Sequence, residues 1–166
     1  MQNHFLLLCF LLCFTVSNSQ TKISFKQKDQ STVEINFANN FSTLEIKNSQ
    51  TKKTQIINNI EASVTGKESH LETADYNFDG HPDFTYYHSD DGMGVYSIYQ
   101  IFIFNSKTKN FELLKFPESS NAKCDMFCDV KVDKTKKTLS SSCRGGARWH
   151  TDVWKFDKNK KLILVK

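Results

Sequence analysis

The sequence predicts an all-β protein of about ten to twelve antiparallel strands, arranged as a meandering sandwich or a small propeller-like barrel. Three observations lead there. Short strand signals recur roughly every ten residues, separated by Asn, Lys, Ser and Gly. No segment sustains a helical period. Two segments are apolar on consecutive residues, which suits strands covered on both faces.

In chain order, Phe5 to Val16 is a near-continuous apolar run ending in Ser17-Asn18-Ser19, a small-x-small cleavage pattern. The run is too short for a bilayer core of roughly 30 Å. Residues 1–19 therefore read as a signal peptide, although its first four residues carry no Lys or Arg. Neither Cys9 nor Cys13 follows the small residue expected before a lipidated cysteine. Residues 20–166 read as a single β domain, secreted or periplasmic, with no transmembrane span.

Within that domain Val33-Glu34-Ile35-Asn36-Phe37 and Leu44-Glu45-Ile46 alternate with period two, as half-buried strands do. Phe84 to His88, Phe111 to Phe116 and Trp149 to Phe156 read as further strands. Tyr96 to Phe104 and Leu162 to Val165 are the two-faced segments and are expected in central positions. The formal net charge is +4. Its lysines are scattered through turns such as Lys107 to Lys109 and Lys134 to Lys137, which suits a solvated surface and no nucleic-acid groove.

Asp75-Tyr76-Asn77-Phe78-Asp79-Gly80-His81-Pro82-Asp83 spells D-x-N-x-D-G-x-x-D, a loop pattern that wraps Ca²⁺. Asp75, Asn77 and Asp79 would supply side-chain oxygens, His81 its carbonyl, and Asp83 a ligand directly or through water. Gly80 permits the sharp turn. The bidentate Glu of an EF-hand is missing, because its position is Tyr86, and a strand follows Pro82 in place of a helix. The same residues also suit an Asn/Asp/Gly turn that closes a hairpin without metal.

Cys124, Cys128 and Cys143 follow the predicted leader, and an oxidising compartment favours one disulfide among them. A hairpin turning near Thr135 and Lys136 places Cys128 opposite Cys143, so that pair is the expected bridge. Cys124 could instead pair with either, or stay free. A zinc site lacks a fourth ligand at the usual spacing.

Catalytic signatures are missing. His70, His81, His88 and His150 are scattered, and there is no nucleophile elbow, no H-E-x-x-H and no phosphate-cradling Gly loop. Asp90 and Asp91 are adjacent and project differently, so they read as a solvated loop tip and not as a glycosidase pair. Binding, not catalysis, is the expected role. Two loops suit it: His88 to Tyr96, with Gly92, Met93 and Gly94, and Arg144-Gly145-Gly146-Ala147-Arg148-Trp149-His150. Tyr96, Arg144, Arg148 and Trp149 are the anchor candidates, being of types enriched in interface hot spots. Trp149 as a core residue above a bulge is the competing reading.

The calcium loop, the following Gly-containing loop with Tyr96 and Tyr99, Phe102 to Asn105, Cys128 to Gly146 and the closing aromatic strand resemble, in order and spacing, a family of secreted bacterial calcium-loop β proteins. That family is similar in fold to periplasmic lysozyme inhibitors, and some members are immunity proteins against peptidoglycan-hydrolase effectors. The resemblance spans about residues 68 to 166. It implies a stoichiometric inhibitor whose partner is a peptidoglycan hydrolase. Gly94 and Tyr96 are loosely similar to the Ser-Gly-x-x-Tyr inhibitory loop, with a different spacing. The net positive charge points away from strongly cationic lysozymes as targets. A non-catalytic cell-wall or carbohydrate-binding module, stacking sugars on Trp149, Trp154 and the tyrosines, is the alternative.

Overall fold

A computed structural model describes residues 22–38, 42–117 and 121–166. The predicted signal peptide, with Cys9 and Cys13, lies outside the described residues. Among the described residues there is no helix, so none is long and apolar enough to cross a membrane.

Among the described residues twelve strands form three four-stranded antiparallel sheets, each a simple meander in chain order. The first holds β1 (Lys22–Lys26), β2 (Thr32–Ala38), β3 (Thr43–Asn48) and β4 (Thr54–Asn58). The second holds β5 (Ser69–Ala74), β6 (Asp83–Ser89), β7 (Ser97–Asn105) and β8 (Asn110–Leu113). The third holds β9 (Lys131–Asp133), β10 (Thr138–Gly145), β11 (Arg148–Phe156) and β12 (Leu162–Leu164). Among the described residues each sheet keeps two edge strands, so no barrel closes.

The period-two pattern explains the layering. Val33 and Ile35 on β2 and Leu44 and Ile46 on β3 turn inward to meet Phe84, Tyr86, Phe102 and Phe104 of the second sheet in one apolar core. On the opposite face of β7, Ile101, Ile103 and Tyr99 join Leu139, Trp154 and Leu162 of the third sheet in another. The middle sheet is thus covered twice, as its two-faced apolar sequence requires.

Leu162 to Val165 departs from the same expectation. β12 pairs with β11 alone and lies at a sheet edge, with Leu162 buried but Ile163 41% and Val165 49% exposed. A short apolar run reports strand formation without reporting how many faces find a partner.

Polar side chains tie the layers together. The Gln55 amide on β4 donates to the Phe111 carbonyl at 2.7 Å and accepts from the Phe111 N–H at 2.8 Å. It thereby offers edge strand β8 the bond pair that a neighbouring strand would. In the β1–β2 turn, Asp29 meets Lys109 of the β7–β8 turn at 2.6 Å. The hydrogen bond from Lys109 holds the Asp29 carboxyl well below the usual carboxylate range. Nearby, buried Gln27 donates to the Pro82 carbonyl at 2.7 Å, so the first sheet also braces the loop that leads into β6.

Candidate functional site

The loop from Asp75 to Asp83 joins β5 to β6 and folds round its own acids. The Asp79 N–H donates to both Asp75 Oδ1 and Asn77 Oδ1 at 3.1 Å, which gathers the first two predicted ligands about one point. Gly80 N–H reaches Asp75 Oδ2 at 2.9 Å and His81 N–H reaches Asp79 Oδ1 at 2.9 Å. Two residues take positive φ to make these turns, Phe78 at 61° and Gly80 at 83°. For Gly80 that costs nothing, whereas Phe78 needs the surrounding bonds to hold it there.

Asp83 plays a different part. It is fully buried, and its carboxylate accepts from Tyr76 N–H at 2.8 Å, Asn77 N–H at 3.4 Å and, across the sheet, Phe104 N–H at 2.8 Å. Burial pushes its carboxyl up to about 7 against the opposing pull of those N–H donors. Asp83 therefore locks the loop onto β7. Among the described residues no three acidic, His or Cys side chains converge as a metal-holding cluster. The oxygens that do converge are those of Asp75 and Asn77 on the Asp79 N–H, while the Asp79 carboxylate accepts from His81 N–H and the Asn77 amide; all three are hard donors of the type Ca²⁺ takes. His81 lies beside Phe104, ring centroids 5.5 Å apart, and its Nδ1 is buried without a partner.

The two predicted contact loops are brought together. Tyr96, at the end of the β6–β7 loop, meets Trp149, at the start of β11, edge to face with centroids 6.5 Å apart. Trp149 is 52% exposed, which settles its placement on the surface, and Met93 is 67% exposed. Arg148 and Arg144 flank the β10–β11 hairpin, where Gly145 pairs with Arg148 across Gly146-Ala147. Gly146 has φ 60° and Ala147 does not share that sign, the pattern of a type II′ turn. Arg144 Nε donates to the Gly146 carbonyl at 3.0 Å and stiffens the same turn. Trp154, by contrast, is fully buried in the second core and cannot serve as a sugar platform.

The cysteines pair differently from expectation. Cys124 bonds Cys143, with Cα atoms 5.7 Å apart, and Cys128 is a free buried thiol whose ionisation burial pushes up to about 12. The hairpin turns where expected, with Asp133 opposite Thr138. Asp129, however, takes φ 40° and breaks the strand. Ser142 N–H then bonds the Cys128 carbonyl at 2.7 Å, a one-residue slip from the register that would have set Cys128 against Cys143. Buried Asp152 on β11 accepts from Lys123 N–H at 3.0 Å and Cys124 N–H at 2.8 Å, which draws Cys124 in as the replacement partner.

Asp91 is the residue that sequence reasoning underrated. Its carboxylate accepts from the hydroxyls of Ser63 and Thr65 and from Val64 N–H at 2.9 Å, fastening the β6–β7 loop to the β4–β5 connection. The Ser63 and Thr65 hydroxyl bonds hold its carboxyl well below the usual range. Only the short Ser63-Val64-Thr65 run of hydroxyls could have signalled such a partner, and nothing local ties it to Asp91. Of the predicted histidines, His88 is buried, with both ring nitrogens beside carbonyl oxygens, Ser89 at 2.8 Å and Glu61 at 3.0 Å. That is a packing role. Comparison with family models, with curated proteins and with solved structures finds no match to this chain.

Proposed function

We propose that this chain is a secreted, non-catalytic binding protein that blocks a peptidoglycan hydrolase stoichiometrically through the surface built by Tyr96, Trp149, Arg144 and Arg148. The observation that carries the reading is the Tyr96–Trp149 contact: two loops 53 residues apart in sequence supply neighbouring aromatic anchors. Each loop is pre-formed, one by Asp91 on Ser63 and Thr65 and the other by the Gly146 turn, so little conformational entropy is lost on docking. The sandwich is the finer architecture that the two stacked cores support.

Calcium belongs to the same reading as a stabiliser of the scaffold. Asp75, Asn77 and Asp79 would hold it with the His81 carbonyl, and Asp83 would reach it through water while it locks the loop onto β7. The ion would neutralise the crowded carboxylates and so favour the folded loop.

The test is co-expression of the secreted chain with a hydrolase encoded beside it. Protection from lysis, together with association of the purified pair, is the expected outcome. Equal lysis with no association overturns the reading and favours the wall-binding alternative.

A further inference from the structure

A cleft lies elsewhere on the molecule, with none of Tyr96, Arg144, Arg148 or Trp149 in its lining. It sits between the Asp75–Asp83 loop, the β7–β8 hairpin and the β11–β12 turn and has a volume of about 440 Å³, within the size range of small-molecule sites. Ile103, Leu114 and Phe156 line it, and Leu113 borders it while 48% exposed to water. Its acids are already engaged: Asp79 accepts from His81 N–H and from the Asn77 amide, and Glu112 accepts from the Asn105 amide at 2.9 Å. Its two cations are not. Among the described residues Lys107 and Lys160 line the cleft and form no ion pair, whereas Lys22, Lys109 and Lys136 each have one.

We infer that this cleft binds a small amphiphile with an aliphatic or aromatic body and a single acidic group, carboxylate or phosphate. The apolar lining takes the body, and Lys107 and Lys160 take the acid. Lys107 and Lys160 have no carboxylate partner, so the acid of a ligand is the counter-ion they can take. The apolar lining excludes a bare inorganic anion as the preferred occupant, because such an ion would leave Leu113 and Phe156 facing water.

The inference does not rest on the hydrolase reading, and because the candidate calcium ligands Asn77 and Asp79 also line the cleft, its test is run on the full mature chain in excess chelator. Octanoate, octyl phosphate and octanol are titrated while the amide resonances of Ile103, Leu113, Leu114 and Phe156, the methyl resonances of Ile103, Leu113 and Leu114 and the ring resonances of Phe156 are followed by NMR. At least one of the acids is expected to bind saturably there, about tenfold more tightly than octanol. The relative strength of octanoate and octyl phosphate then distinguishes a carboxylate from a phosphate ligand. The double substitution Lys107→Ala and Lys160→Ala is expected to bring the acids down to the octanol value with the melting temperature unchanged. Both side chains are exposed, and Lys107→Gln with Lys160→Gln serves if the alanine pair lowers expression. Equal binding of acid and alcohol, no saturable shift at these residues, or an acid preference that survives the double substitution would each overturn the inference.

Discussion

The loop before β6 and the loop after it are similar in composition, both rich in Asp and Gly, yet they are held by opposite means. From Asp75 to His81 the loop bonds mostly to itself, with backbone N–H groups two to five residues away satisfying its carboxylates. From Ser89 to Tyr96 the main tether comes from outside, since Asp91 reaches Ser63 and Thr65 more than 20 residues upstream. The first arrangement makes a stiff local unit that an ion can reinforce. The second fastens a Gly-containing segment to a distant part of the fold and leaves Met93 and Tyr96 available. A self-wired loop supports a scaffold, and a cross-tethered loop presents a surface.

The largest effect expected from breaking this contrast is at Asp83, which locks the self-wired loop onto β7. Asp83→Ala strands the N–H groups of Tyr76, Asn77 and Phe104 in a buried setting, at a cost of about 3–5 kcal/mol. Denaturant unfolding in chelator measures it. A loss under about 1 kcal/mol would show that the lock is dispensable.

Next comes the disulfide beneath the contact surface. Cys143→Ser removes a cross-link over a sequence separation of 19, worth about 3 kcal/mol, whereas Cys128→Ser leaves the bridge intact and should cost less. Peptide mapping of the secreted protein under non-reducing conditions should recover Cys124 joined to Cys143. A fragment joining Cys128 to Cys143 would contradict the slip at Asp129.

Calcium sharpens the contrast further. At a hundredfold excess over Kd it should add about 2.7 kcal/mol, and Asp79→Ala should remove that gain while leaving the Tyr96 loop unaffected. Equal melting temperatures in chelator and in millimolar Ca²⁺ would remove the ion from the account.

The smallest effect on global stability is expected at Asp91. Its folded carboxyl titrates below the ordinary value, so its contribution is present above the unfolded pKa of about 3.9 and is lost as pH falls below that towards the folded value. Its carboxyl carbon resonance should stay flat between about pH 6 and 4, where an ordinary Asp begins to titrate. Asp91→Ala should leave the melting temperature nearly unchanged and increase exchange of the amides from Asp90 to Tyr96. A normal titration at Asp91 would mean that the tether to Ser63 and Thr65 does not form in solution.

What was legible in the sequence follows the same division. The alternation in β2 and β3 and the two-faced β7 are local patterns, and they reappear as buried faces, whereas the equally local run Leu162 to Val165 ends at a sheet edge. The hairpin turn at Asp133 to Thr138 was legible for the same reason. What was hidden depends on single residues acting at a distance. Asp129 with its positive φ, and Asp152 holding the Cys124 N–H, together redirect the disulfide, and neither carries a sequence signature. The meeting of Tyr96 with Trp149 follows from how the second and third sheets pack, which no spacing along the chain encodes.

If the Tyr96–Trp149 surface is the working face, calorimetric titration of the purified protein against a hydrolase encoded beside it should register it. One-to-one binding is expected, with a loss of at least about 2 kcal/mol for Trp149→Ala or Tyr96→Ala and almost none for Lys134→Ala in the exposed β9–β10 turn. Binding that is absent, or that weakens equally for all three substitutions, would contradict it.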